Sequence, residues 1–130
     1  MIDQVFEAFQ LEAKFVHLEN DGKMTSHLVD KDFWSEGSSP GYLGSGRLMG
    51  ILNLDAGASH WEMHPDGDEL LYLLSGSMDV VLESKGENKV INLSGPSSCI
   101  VPRETWHQTI ACEPCSLLFI TPSKGTQHRE

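Results

Sequence analysis

His60, Glu62 and His64 occupy alternate positions in the stretch His60-Trp61-Glu62-Met63-His64-Pro65-Asp66-Gly67-Asp68-Glu69. Side chains alternate faces along a β-strand, so these three would share one side, with Trp61 and Met63 on the other. Pro65-Asp66-Gly67 supplies a tight turn, and Glu69 then opens a second apolar run. Imidazole and carboxylate lone pairs converging from neighbouring strands can hold a divalent ion. His107, far along the chain, would complete a donor set of Glu62, His64, Glu69 and His107. Two imidazoles with one or two carboxylates leave coordination positions open, which favours Fe(II) or Mn(II), with Zn(II) and Ni(II) as further options. Glu62 has two readings, a ligand or a general acid or base beside a three-ligand ion. His60 lies about 7 Å further along the strand; it would ligate if the strand bulged and otherwise sits at the rim.

The elements that must position these residues read as short strands. Strand-like runs fall at 14–18, 47–54, 59–64, 69–74, 77–84, 88–93, 97–101, 106–111 and 115–120. Gly or Pro marks most of the later gaps, from Pro65-Asp66-Gly67 through Ser75-Gly76, Lys85-Gly86, Gly95-Pro96 and Pro102 to Pro114. Such spacing, without long helices between, predicts one all-β domain, an antiparallel sandwich or barrel over residues 1–130. Ile2, Val5, Phe6 and Phe9 fall at helical spacing, predicting a short N-terminal helix or arm within residues 1–13. Asp30 to Trp34 reads as a single helical turn with Asp30 as N-cap. The tail after Pro122 is polar and expected to hug the surface.

The 130 residues are enough for a hydrophobic core. A net charge of −10 argues against nucleic acid and against an anionic membrane surface as partners. No apolar run approaches the ~20 residues that cross a bilayer, and the first residues do not read as a signal peptide. The expected setting is cytoplasmic. Three cysteines do not make a disulfide framework. Cys112-Glu113-Pro114-Cys115 has the spacing of a zinc or redox pair, but a proline turn between strands favours ordinary reduced thiols.

Two longer patterns carry a resemblance. Glu62-x-His64-x4-Glu69-x6-Gly76 resembles the first signature of the cupins, usually G-x5-H-x-H-x(3 or 4)-E-x6-G. Gly95-x6-Pro102-x4-His107 resembles the second, usually G-x5-P-x-G-x2-H-x3-N. The string Trp-Glu-x-His-Pro-x-Gly-Asp-Glu is also similar to that of a branch of small bacterial cupins. The resemblance covers roughly residues 45–121 and implies an antiparallel jelly-roll barrel, with metal ligands at position 62, His64, Glu69 and His107. The departures are specific: Glu62 stands in place of the first histidine, Gly57 is one residue too close, Glu104 replaces a glycine, and Ala111 replaces the asparagine. A carboxylate for an imidazole adds negative charge and a harder donor, again toward Fe(II), Mn(II) or Mg(II).

The resemblance implies a metal-dependent enzyme of oxygenase or isomerase type acting on a small organic acid, phenol or sugar-like molecule. A non-catalytic small-molecule binding or sensing barrel and a metal-free structural dimer are the alternatives. Met49, Ile51, Leu71, Leu73 and Thr109 share the inward parity of the site and are expected to line a pocket. Trp61 and Trp106 each flank a site residue and so are expected on the opposite face, packed on the N-terminal segment or a second subunit. Val5, Phe6, Phe9 and Trp34 offer apolar surface for a homodimer. His17, His27 and His128 are expected to be solvated.

Overall fold

A computed structural model describes residues 6–35 and 39–130. Within them run β1 (Lys14–Leu18), β2 (Met24–Leu28), β3 (Arg47–Leu54), β4 (Gly57–Ala58), β5 (Trp61–Met63) and β6 (Glu69–Ser75). The second half continues with β7 (Ser77–Ser84), β8 (Glu87–Ser94), β9 (Ser97–Val101), β10 (His107–Ala111), β11 (Cys115–Pro122) and β12 (Gln127–Arg129). One sheet has the order β2-β1-β3-β11-β6-β9 and the other β12-β5-β10-β7-β8, with β4 also on β10. The pairings are antiparallel, and the two sheets enclose the core as a jelly roll.

The alternation that predicts the strands also fills this core. Glu69, Leu71 and Leu73 of β6 are buried while Leu70, Tyr72 and Leu74 are only partly so. Leu73, Met78, Val80 and Val101 lose nearly all exposure between the sheets. Ser84 pairs with Glu87 across the two-residue loop Lys85-Gly86, whose φ values of 53° and 79° fit the type I′ turn that matches strand twist. Phe15 anchors the far end of the core, edge-on to Phe33 and Phe119 with ring centroids 5.2 Å away in both cases. A Cβ on Gly50 would overlap the Phe15 ring, so the glycine makes room for that stack.

Several expectations change. Residues 7–10 are not helical; Ile2 and Val5, on which half of the predicted apolar face depends, lie outside the described residues. The stretch behaves as an arm, with the Leu11 carbonyl accepting from Ile51 N at 3.3 Å. Asp30 initiates a turn rather than a helix, accepting from Asp32 N at 2.9 Å. Three strands escape the sequence reading: β2 pairs with β1, the two-residue β4 pairs with β10, and β12 within the polar tail pairs with β5. His17 is buried, not solvated, with Nε2 2.8 Å from the Ser45 carbonyl and 3.2 Å from Ser123 Oγ. Among the described residues no helix is long and apolar enough to cross a membrane.

Candidate metal centre

Glu62 of β5 sits directly opposite His107 of β10 in the antiparallel register. Directly opposed residues project to the same face, so the ladder delivers a carboxylate and an imidazole together. His64 follows just after β5, and Glu69 opens β6 on the facing sheet. The chain thus reaches the same spot from both sheets. Glu62, His64 and His107 each offer a ligand atom within 4.8 Å of the others. Glu69 Oε1 lies between the imidazoles, 3.0 Å from His107 Nε2 and 3.4 Å from His64 Nε2. Glu62 Oε1 is 3.9 Å from His64 Nε2.

These separations suit an ion. Donors about 2.1 Å from a metal stand roughly 3 Å apart when adjacent and roughly 4 Å when opposed. The donor set of Glu62, His64 and His107 therefore suits a divalent ion with small adjustments, with Glu69 hydrogen-bonded between the two imidazoles. His60 does not join it; it is exposed, beyond the start of β5.

Burial differs sharply between the two carboxylates, with the Glu62 side chain 38% exposed and that of Glu69 8%. Burial pushes the Glu69 carboxyl up, but hydrogen bonds from His107 and His64 outweigh it and hold it down at about 2. Burial likewise pulls His107 down, while its hydrogen bond to Glu69 and that charge push it up further, leaving it raised. In the metal-free protein Glu69 and His107 therefore form a charge-assisted pair.

The imidazoles are oriented from behind. His107 Nδ1 lies 3.1 Å from the Thr105 carbonyl oxygen, which can only accept, so Nδ1 carries a proton and Nε2 faces the site. His64 Nδ1 is 2.8 Å from Thr126 Oγ1, and its Nε2 is 3.2 Å from Thr121 Oγ1. Thr126 immediately precedes β12. The same strand sets His128 Nδ1 3.6 Å from Glu62 Oε2, in direct register with it. His128 is exposed, as expected, yet rests against the site, and Thr121 and Thr126 were not signalled by any motif. Arg129 secures the strand, its guanidinium 5.1 Å from the Trp61 ring centroid and 4.5 Å from that of Trp106, with an ion pair to Glu83. Trp61 and Trp106 thus pack on Arg129, where an N-terminal segment or second subunit was expected.

A cavity of about 380 Å³ opens beside the cluster, with Glu62, Glu69 and His107 at its polar end. Leu52, Leu54, Leu71, Leu117 and Phe119 form its apolar wall, with Thr109 and the Asp55–Ser59 loop completing it. Of the residues expected there, Leu71 and Thr109 line the cavity and Met49, Ile51 and Leu73 do not. The inward face of β3 is Leu48, Gly50, Leu52 and Leu54, so Met49 and Ile51 point away; Leu73 is sealed in the core. Cys99, Cys112 and Cys115 are free thiols, and burial raises Cys115.

No protein-family model and no curated protein matches the chain. Solved structures do match. A cupin-2 domain protein from Shewanella frigidimarina aligns at 22% identity and a TM-score of 0.50, over 58% of this chain and 70% of that one. The chain has the cupin fold. Hydroquinone 1,2-dioxygenase from a Sphingomonas species aligns at 14% identity and a TM-score of 0.51, over 61% of this chain and 60% of its own. Bacillus subtilis oxalate decarboxylase, which has Mn(II) centres, aligns at 17% identity and a TM-score of 0.54. The match takes in 63% of this chain but only 23% of the decarboxylase. At such identities the likeness concerns the barrel alone. On that barrel the chain carries a candidate site in which a carboxylate, Glu62, stands beside two histidines.

Proposed function

We propose that this cupin binds one divalent ion, Fe(II) or Mn(II) in preference to Zn(II) or Ni(II), through Glu62, His64, Glu69 and His107, and that it acts as an oxygenase or isomerase on a small organic molecule. The observation that carries the reading is the convergence of Glu62, His64 and His107, with Glu69 Oε1 between the imidazoles, beside an apolar cavity. A bound ion would supply Lewis acidity toward a substrate oxygen, or oxygen activation in the case of Fe(II). The protein supplies the rest. Thr105 and Thr126 hold the imidazoles with Nε2 toward the site. The apolar wall excludes water from a substrate body. In the alternative in which Glu62 does not ligate, this more exposed carboxylate, with His128 3.6 Å away, would accept or return a proton at the cavity end.

A second reading has a specific observation in its favour. Glu69, His64 and His107 already satisfy one another, and among the described residues no buried side-chain polar atom lacks a partner. A metal-free barrel that binds a small molecule without chemistry is consistent with that. Oxygen uptake and product NMR on a panel of phenols, small acids and sugars, with Fe(II)- or Mn(II)-reconstituted protein, separate the two. Turnover proportional to metal content and lost in His107→Ala supports the enzyme. No retained metal and no turnover by any member would leave the metal-free binding barrel.

A further inference from the structure

From the charge and lining of the cavity, we infer that the ligand taken beside the Glu62-His64-Glu69-His107 cluster is an uncharged, largely apolar molecule presenting one oxygen, such as a phenol, alcohol or ketone, and not a carboxylate, phosphate or sugar. This rests on the proposed metal site and narrows its substrate.

Three observations carry it. First, among the described residues that line the cavity none is lysine or arginine, while Asp55, Glu62 and Glu69 are acidic. An anionic ligand brought here loses hydration and meets no lysine or arginine in return, and the His107 imidazole is already paired with Glu69. Second, both carboxylates of the cluster together cancel the charge of a divalent ion. The imidazole that the cupin signature has at position 62 would leave one positive charge on the site to attract an anion. Glu62 removes that attraction, and Asp55 at the rim adds repulsion. Third, the wall is Leu52, Leu54, Leu71, Leu117 and Phe119, and the Ser59 hydroxyl is already engaged. It donates to the His60 carbonyl at 2.9 Å and accepts from Thr109 N at 3.0 Å. A polyol would bury several hydroxyls with few partners, each at a cost. A volume of about 380 Å³ is small for a ligand pocket and suits a single-ring molecule.

A matched series tests this: phenol, benzoate and benzylammonium share a ring and differ in charge. Their affinities are measured by calorimetry on protein reconstituted with Mn(II), and again on metal-free protein. Phenol is expected to bind Mn(II)-loaded protein at least tenfold more tightly than either ion, and to outrank benzoate in the metal-free protein too, where Glu69 pairs with His107 and Asp55 and Glu62 keep the lining acidic. In Mn(II)-loaded Glu62→His, benzoate is expected to gain about tenfold relative to phenol, because a positive charge returns to the site. Benzoate or benzylammonium binding wild type as tightly as phenol would overturn the inference, as would millimolar silence from all three. Metal stoichiometry, determined on the same samples, tests the metal reading separately: a protein that takes no Mn(II) yet ranks phenol over benzoate would refute the ion and keep the ligand class.

Discussion

Glu62 and His107 face each other as a directly paired couple across β5 and β10. The pairing matters because it makes the site a property of strand register. A slip of one residue would turn one of the two side chains to the opposite face of the sheet. β12 guards the other edge of β5, pairing His128 with the same Glu62.

Thr126 is expected to tune the metal through His64. Thr126→Val removes the oxygen 2.8 Å from His64 Nδ1 while keeping the shape. Losses of this kind typically cost about 10- to 100-fold in metal affinity. A competitive chelator titration should register that loss, with Thr126→Ser recovering most of it and thermal stability shifting little. Equal metal affinity in Thr126→Val would remove the threonine from the site.

Arg129 is expected to hold β12 in place. Arg129→Ala deletes the stacking on Trp61 and Trp106 and the ion pair with Glu83. Both ion-pair partners are more than a third exposed, so the pair itself contributes little, and the stacking dominates. A destabilisation of about 1 kcal/mol in urea unfolding is predicted, with faster amide exchange in residues 127–129. Unchanged exchange there would show that the strand does not depend on the clamp.

Acidity should expose the Glu69–His107 pair in metal-free protein. Glu69 is depressed in the folded state, from 4.5 to about 2, so its stabilisation is present above 4.5 and lost as pH falls toward 2. His107 is raised, so its stabilisation is present below 6.5 and lost as pH rises through its elevated folded value. Both contribute between pH 4.5 and 6.5, and the pair's share of stability should fade on either side of that window. Comparing urea midpoints of wild type and His107→Asn across pH isolates it. A difference that does not change with pH would contradict the pairing. A metal must displace the His107 proton, so metal affinity should climb with pH through the same upper limb.

Glu104 occupies a position with φ of 62°, where the cupin pattern has a glycine. Its backbone N donates to the His64 carbonyl at 2.9 Å, tying the turn before β10 to the site. Left-handed backbone costs a non-glycine residue about 1 kcal/mol. Glu104→Gly should therefore match or modestly exceed wild-type stability despite a more flexible unfolded chain, and Glu104→Val should be destabilised by about 1–2 kcal/mol. A Glu104→Gly variant clearly less stable than wild type would point to a role for the side chain.

The strands from β5 to β11 and the meeting of Glu62, His64, Glu69 and His107 were legible because alternation, turn residues and residue spacing agree there. β2 and β12 were not. Gln127-His128-Arg129 has no apolar period, and its strand exists through pairing with β5 and the grip of Arg129 on two tryptophans. Thr126 and His128 reach the site only by that pairing. On β3, Leu48, Met49, Ile51 and Leu52 are apolar on both faces, so composition does not reveal which side points inward. The fit of Gly50 against Phe15 decides it, and that is a contact between distant segments. His17 looked solvated because its partners, Ser45 and Ser123, are far along the chain.

Metal content decides the central claim. Protein purified without added metal, then reconstituted with Fe(II) or Mn(II) and freed of excess, should carry about one equivalent per chain by elemental analysis, and His107→Ala well under half. Wild type that stays below about a tenth of an equivalent after reconstitution would contradict the site.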